Sequence, residues 1–177
     1  MERTAVFIDG GYLRNIILKL NKNLQIDYGK LAEWMSKDSY LLRTYYYDCL
    51  PYQSNPPTPD ERKRMSRMQS FLKKIEQLQD FTIRHGTIVK RGNGYEQKGV
   101  DVQLSIDLTL LSSKSKITQA CILTGDSDFV PAICVAKNEG VKIILFHGPK
   151  ETYHRDLWNN ADRRIEISSS ILNKMKL

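Results

Sequence analysis

Apolar positions along the chain alternate between two rhythms. The unbroken run in "TAVFID" (4–9) reads as a buried strand, and in the following "GGYLRNIILKLN" Leu13, Ile16, Ile17 and Leu20 recur at helical spacing. Residues 27–38 set Leu31, Trp34 and Met35 on one helical face. "YLLRTYYYD" (40–48) is an aromatic strand candidate, whose Tyr45, Tyr46 and Tyr47 are expected to alternate between core and surface. Four prolines in "LPYQSNPPTPDE" (50–61) exclude regular structure and mark a loop or lid. A long helix then starts with Thr58 as its cap and Pro59 at its first position. "FTIRHGTIVK" returns to strand character, and "RGNGYEQKG" reads as a turn or flexible loop.

Further on, "VDVQLSIDLTLLSS" brings Leu104, Leu108 and Leu111 onto one stripe with Asp101 in its first turn. "KITQACILTGD" is the next strand, "SDFVPAICVAKNEG" a helix closed by Gly140, and "VKIILFH" another strand. The end of the chain predicts a short helix, a last short strand and a basic tail after about residue 167. Repeated strand–helix–strand order predicts the α/β class, with a mostly parallel, twisted sheet covered by helices on both faces. In such sheets, sites form beyond the carboxyl ends of the strands.

The 177 residues are expected to form one domain, which buries roughly 70% of the surface of the unfolded chain. Cys49, Cys121 and Cys134 show no metal-binding spacing, and the latter two lie in apolar runs that read as core. The absence of a disulfide framework, of a leader and of a membrane-length apolar run points to a cytoplasmic protein without a membrane partner. A net charge of +7, from 27 Lys and Arg against 20 Asp and Glu, favours a polyanionic partner without identifying it.

The acids are more informative. Asp9 ends the first strand, Asp101 opens a helix, and Asp126 and Asp128 follow a later strand, so all face one edge of the predicted sheet. A single acid at such a position is an ordinary helix cap or turn residue. Several converging acids raise one another's pKa and call for a cation, and oxygen-only ligation suits Mg²⁺ or Mn²⁺. Asp107, six residues beyond Asp101 and about 120° away around a helix, ranks below the other four.

Three motifs in order, "FIDGGYL", "KGVDVQLSIDL" and "LTGDSDFVPAI", resemble the NYN domain of the LabA-like group within the PIN-like nuclease superfamily. The resemblance runs from residue 4 to about 167 and includes "NNADRRIEI". It implies an α/β/α sandwich and a metal-dependent endoribonuclease. Asp9, Asp101 and Asp126 would hold Mg²⁺ or Mn²⁺, and Asp128 would orient the attacking water, leaving a 5′-phosphate and a 3′-hydroxyl. Tyr12 stands where many members have Asn, for which Asn15 is the replacement one helical turn on. The further acid that many PIN proteins draw from a second helix has only Asp60 and Glu61 as candidates.

For the substrate, single-stranded or structured RNA, the candidate contacts are Asn15, Arg62, Arg64, Arg67, Arg91, Lys98, Thr124 and Ser127, with Tyr95 as a stacking candidate. A solvated face explains the basic residues of the long helix equally simply, and ordinary turn and capping hydrogen bonds are the preferred explanation of Thr124 and Ser127. A catalytically weak RNA-binding regulator on the same fold is the alternative function. An aspartyl-nucleophile phosphatase fits poorly, because Gly11 occupies the place of its second Asp. A homodimer is a candidate assembly, through the Pro-rich loop or the tail.

Overall fold

The computed structural model describes residues 1–22, 24–92 and 94–177, with the side chains of Val89, Arg91, Glu96, Gln97 and Lys98 left aside. Seven strands form one sheet: β1 (Arg3–Asp9), β2 (Tyr40–Cys49), β3 (Phe81–Arg91), β4 (Gly94–Lys98), β5 (Gln119–Leu123), β6 (Lys142–His147) and β7 (Arg163–Glu166). Their order across the sheet is β4-β3-β2-β1-β5-β6-β7, and every pairing is parallel except that of β3 with β4. The chain therefore builds outward from β1 to one side, then returns and builds to the other. The crevice between β1 and β5 is the point where the winding reverses, the usual place for a site in an open α/β sheet.

Helices cover both faces, as the alternating pattern predicts: α1 (Gly10–Leu20), α2 (Tyr28–Met35), α3 (Pro59–Glu76), α4 (Val100–Ser113), α5 (Val130–Asn138), α6 (Arg155–Asn160) and α7 (Ser169–Lys174). The period-2 pleat divides the apolar strand residues between two cores. Phe7, Tyr45, Tyr47, Ile122 and Leu145 pack with Leu104, Leu108, Ile133 and Leu157 of α4, α5 and α6. Ile8, Tyr46, Leu123 and Phe146 pack with Leu13, Ile16, Leu31, Leu72 and Leu172 of α1, α2, α3 and α7. Because both faces are buried, the strands read as continuous apolar runs.

Four expectations change. Tyr45, Tyr46 and Tyr47 are all buried, alternating between the two cores and not between core and surface. The "RGNGYEQKG" segment supplies β4, the antiparallel edge of the sheet, because the backbone groups of β3 beyond Gly86 need a ladder partner once β2 ends at Cys49. Cys134 lies exposed on α5, although Cys121 is buried. The tail after residue 167 is the capped helix α7, whose Leu172 and the following Met175 enter the second core, so its basic residues ride on an apolar anchor. No helix among the described residues is long and apolar enough to cross a membrane.

Candidate active site

Asp9 leaves the sheet at the end of β1 and caps α1. One carboxylate oxygen accepts the Tyr12 backbone N–H at 3.0 Å, and the other accepts the Thr124 hydroxyl at 3.2 Å. Thr124, at the end of β5 and wholly buried, also accepts the Asp126 N–H at 3.3 Å. One buried hydroxyl thus sets the spacing between the acids of two neighbouring strands. Asp126 in turn caps the single 3₁₀ turn Ser127–Phe129 by accepting the Asp128 N–H at 3.0 Å.

Carboxylate oxygens of Asp101, Asp126 and Asp128 lie within 4.8 Å of one another. Asp101 reaches this position from the first turn of α4, whose start is set by Gly99 at a left-handed φ of 90°. Burial first, then the charges of Asp126 and Asp128, hold the Asp101 carboxyl above its ordinary pKa. Asp9 is also raised, by burial first and then by Asp48 and Asp101, against the lowering effect of its two hydrogen bonds. Burial first, then the charges of Asp48, Asp101 and Asp9, push the Cys49 thiol up to about 11. An all-oxygen donor set of mutually repelling carboxylates fits a hard divalent cation, whose charge would relieve that repulsion.

Asp48, at the end of β2 beside Asp9, is absent from the sequence expectations. Its side chain is wholly buried in a forked ion pair with Arg14 of α1, one arm spanning 2.9 Å, and the Tyr46 hydroxyl donates to it at 3.2 Å. Burial opposes the charge on Arg14, but Asp48 outweighs it and holds the guanidinium above its ordinary pKa. Its signal was an acid near a strand end, one residue beyond Tyr47, the register partner of Asp9, and visible only once β2 is known to lie beside β1. The helix-borne candidates Asp60 and Glu61 do not take this place: both sit in the first turn of α3, and Glu61 is consumed in its capping box.

A cleft of about 650 Å³ opens over Asp9 and Asp126, walled by Tyr12, Arg14, Asn15 and the segment Glu151 to His154. The Tyr12 hydroxyl bonds Thr152 Oγ1 at 3.0 Å and accepts the Gly148 N–H at 3.1 Å, so it fastens this wall to α1 where Asn was expected. Two glycines beside the acids are steric necessities. A Cβ on Gly10 would lie 2.5 Å from Asp48 Oδ2 and from the Tyr46 hydroxyl, and one on Gly125 would strike the Tyr12 ring and the Thr152 carbonyl.

The other expected residues are dispersed. Asn15 is exposed on the cleft wall, and Ser127 is half-buried in the turn between Asp126 and Asp128. Arg62 donates to the Pro57 carbonyl at 2.6 Å. Arg64 and Arg67 line a neighbouring groove that Arg14 joins to the acid cleft. The Arg91 and Lys98 side chains lie outside the described residues, and Tyr95 is exposed with its ring 5.2 Å from that of Tyr52. Asp107 binds Arg84 through two bonds of 2.9 and 3.2 Å and accepts the Tyr47 hydroxyl at 2.9 Å, a clamp between α4 and the sheet. His154 also lines the cleft.

A family model of the NYN domain matches residues 3–168. The chain belongs to the NYN domain family. That family lies within the PIN-like nuclease superfamily, so the sandwich and its acid edge form a nuclease-type fold. This NYN domain is similar to an uncharacterised protein of Methanocaldococcus jannaschii, 36% identical over 89 residues that make up 48% of this chain and 37% of that protein's length. It also resembles the crystal structure of a protein of unknown function from Vibrio parahaemolyticus, with a TM-score of 0.67 and 16% identity over 94% of this chain and 93% of that one. The likeness to the Vibrio protein is one of fold.

Proposed function

We propose that this NYN domain is a LabA-like, metal-dependent endoribonuclease acting on single-stranded or structured RNA. The observation that supports it best is the convergence of Asp101, Asp126 and Asp128 beside Asp9 at the reversal point of the sheet. Asp101, Asp126 and Asp128 are the residues that would hold Mg²⁺ or Mn²⁺. Such an ion supplies a water of lowered pKa and a polarised phosphodiester. Asp9, buried and drawn toward the protonated form, is suited to accept the proton of the attacking water. Thr124 keeps Asp9 and Asp126 at a fixed separation, and Tyr12 holds the cleft wall against α1.

Arg14 is tied to Asp48 and reaches both the cleft and the groove lined by Arg64 and Arg67, which would guide a phosphate chain away from the acids. The second reading is an RNA-binding regulator with feeble catalysis. The neutralisation of Asp48 by Arg14 favours it, since one acid fewer is free at the site.

The deciding experiment is cleavage of a labelled single-stranded RNA by wild type, Asp9→Asn and Asp126→Asn, with EDTA, Mg²⁺ and Mn²⁺ in parallel. Metal-dependent cleavage that is lost in both variants supports the nuclease. Equal cleavage by all three proteins refutes it, and salt-sensitive binding without cleavage selects the regulator.

A further inference from the structure

Beyond the acid cleft the concave surface continues along α3. A second cavity, of about 470 Å³, has an apolar floor that includes Tyr28, Met68, Phe71 and Ile88, and a rim of Arg14, Arg64 and Arg67. Arg14 lines this cavity and the acid cleft alike, so the two meet at its side chain. A third cavity, of about 680 Å³, shares Tyr28, Arg67 and Phe71 with the second and adds Lys74 and Ile75. The acids therefore stand at one end of a continuous track, with an aromatic pair in its middle.

The spacing of α3 produces the track. Arg64, Arg67, Met68 and Phe71 lie three and four residues apart, which puts them on one face of the helix, and Lys74 and Ile75 extend that face by a turn. Basic side chains thus alternate with apolar ones along it. Met68 and Phe71 pack against the second core yet are only half-buried, so each keeps surface for a ligand, while Arg64 and Arg67 are exposed. Phe71 stands edge-on to Tyr28 with ring centres 5.5 Å apart, and Tyr28 stands edge-on to the buried Tyr46 at 5.7 Å. The Tyr46 hydroxyl donates to Asp48, the partner of Arg14, so one bracket fixes both floor and rim.

Floor and rim require two chemistries in one ligand. A flat, weakly polar ring suits the floor and an anion beside it suits the rim; a nucleotide carries both. A base within a duplex does not qualify, because its faces are covered by its neighbours and its edge by its partner. We propose that this groove is a subsite for an unpaired base, seated against Phe71 and Met68 while Arg64 and Arg67 hold the adjoining phosphates. The inference rests on RNA as the ligand of the acid cleft and narrows it to a single strand. Phe71 and Met68 then determine specificity by pairing state and not by sequence, since every base presents a face.

The test is binding followed by fluorescence anisotropy, in EDTA so that no strand is cut, of two labelled chains of equal length: a single-stranded RNA and a chain of abasic ribose units. Wild type is expected to bind the RNA roughly tenfold more tightly than the abasic chain, and to lose that preference when the RNA is annealed to its complement. Phe71→Leu, which keeps an apolar side chain on the core, should erase most of the preference and leave the affinity for the abasic chain unchanged, which also shows that the variant is folded. Arg64→Ala should weaken both chains alike and lower the slope of log affinity against log salt by about 0.7, one phosphate contact fewer. Equal binding of the two chains by wild type, a preference retained in Phe71→Leu, or an Arg64→Ala without effect on the abasic chain would each overturn the subsite. No binding of either chain would overturn it as well. Metal-dependent cleavage is read separately, so a nuclease without base preference and a base-binding protein without cleavage give different results.

Discussion

Asp101 and Asp107 lie two turns of α4 apart at most, yet their surroundings give them opposite roles. Asp107 receives Arg84 and Tyr47, so its charge is matched and its oxygens are used in holding α4 to the sheet. Asp107→Ala is expected to cost about 1–3 kcal/mol, because it leaves the buried Tyr47 hydroxyl without an acceptor and Arg84 without its partner. Asp101 faces acids, and without a cation its charge is unfavourable. Asp101→Asn should therefore raise the melting temperature in EDTA while lowering cleavage, a trade of stability against function. Equal destabilisation by the two variants in thermal melts would contradict this division of roles. Arg14→Ala belongs to the same scale: it strands the buried carboxylate of Asp48, and about 2–4 kcal/mol of loss in a denaturant titration is expected, at the lower end because Arg14 itself is 38% exposed.

At the scale of the element, α3 shows a helix start whose electrostatics can be followed by titration. The Glu61 carboxylate accepts the Ser54 hydroxyl, the Ser54 N–H and the Thr58 N–H, while Thr58 returns a bond to the Glu61 N–H. These bonds, led by the Ser54 hydroxyl, lower its pKa from 4.5 to about 2. A lowered carboxylate stabilises the fold when ionised. Its contribution is complete above the ordinary value and fades as pH falls from about 4.5 toward about 2. The difference in stability between wild type and Glu61→Gln should accordingly be constant above pH 5, on the order of the first value, and shrink below it. A difference that grows with acid would have the wrong sign. The start of α3 was legible in advance because Thr58 as a cap and Pro59 at the first position form a local code, which the structure completes with Glu61. The edge strand β4 was not, since "RGNGYEQKG" has no apolar alternation and becomes a strand only by pairing with β3.

For the whole molecule, sheet order decides which charges meet. The reversal between β1 and β5 brings residue 9 beside residues 124 and 126, and the crossover through α4 delivers Asp101 to the same edge. A cation that binds only the folded acids stabilises the fold by mass action, about 2.7 kcal/mol when free metal is a hundredfold above its dissociation constant. Adding Mn²⁺ in place of EDTA should raise the melting temperature of wild type, and Asp126→Asn should abolish most of the rise. A rise of the same size in that variant would place the metal elsewhere.

The α/β order, the strand-end acids and the capped helix starts were determined by the sequence itself, because each rests on local spacing: apolar rhythm, turn chemistry and a carboxylate where a strand stops. The tertiary structure decided what those residues are to one another. It set Asp48 beside Asp9 and neutralised it with Arg14, enclosed Thr124 as a brace between two acids, and assigned Asp107 to a clamp. Contacts of this kind join residues 23 to 115 positions apart, and their energies depend on burial and on distance through space, neither of which a linear pattern encodes.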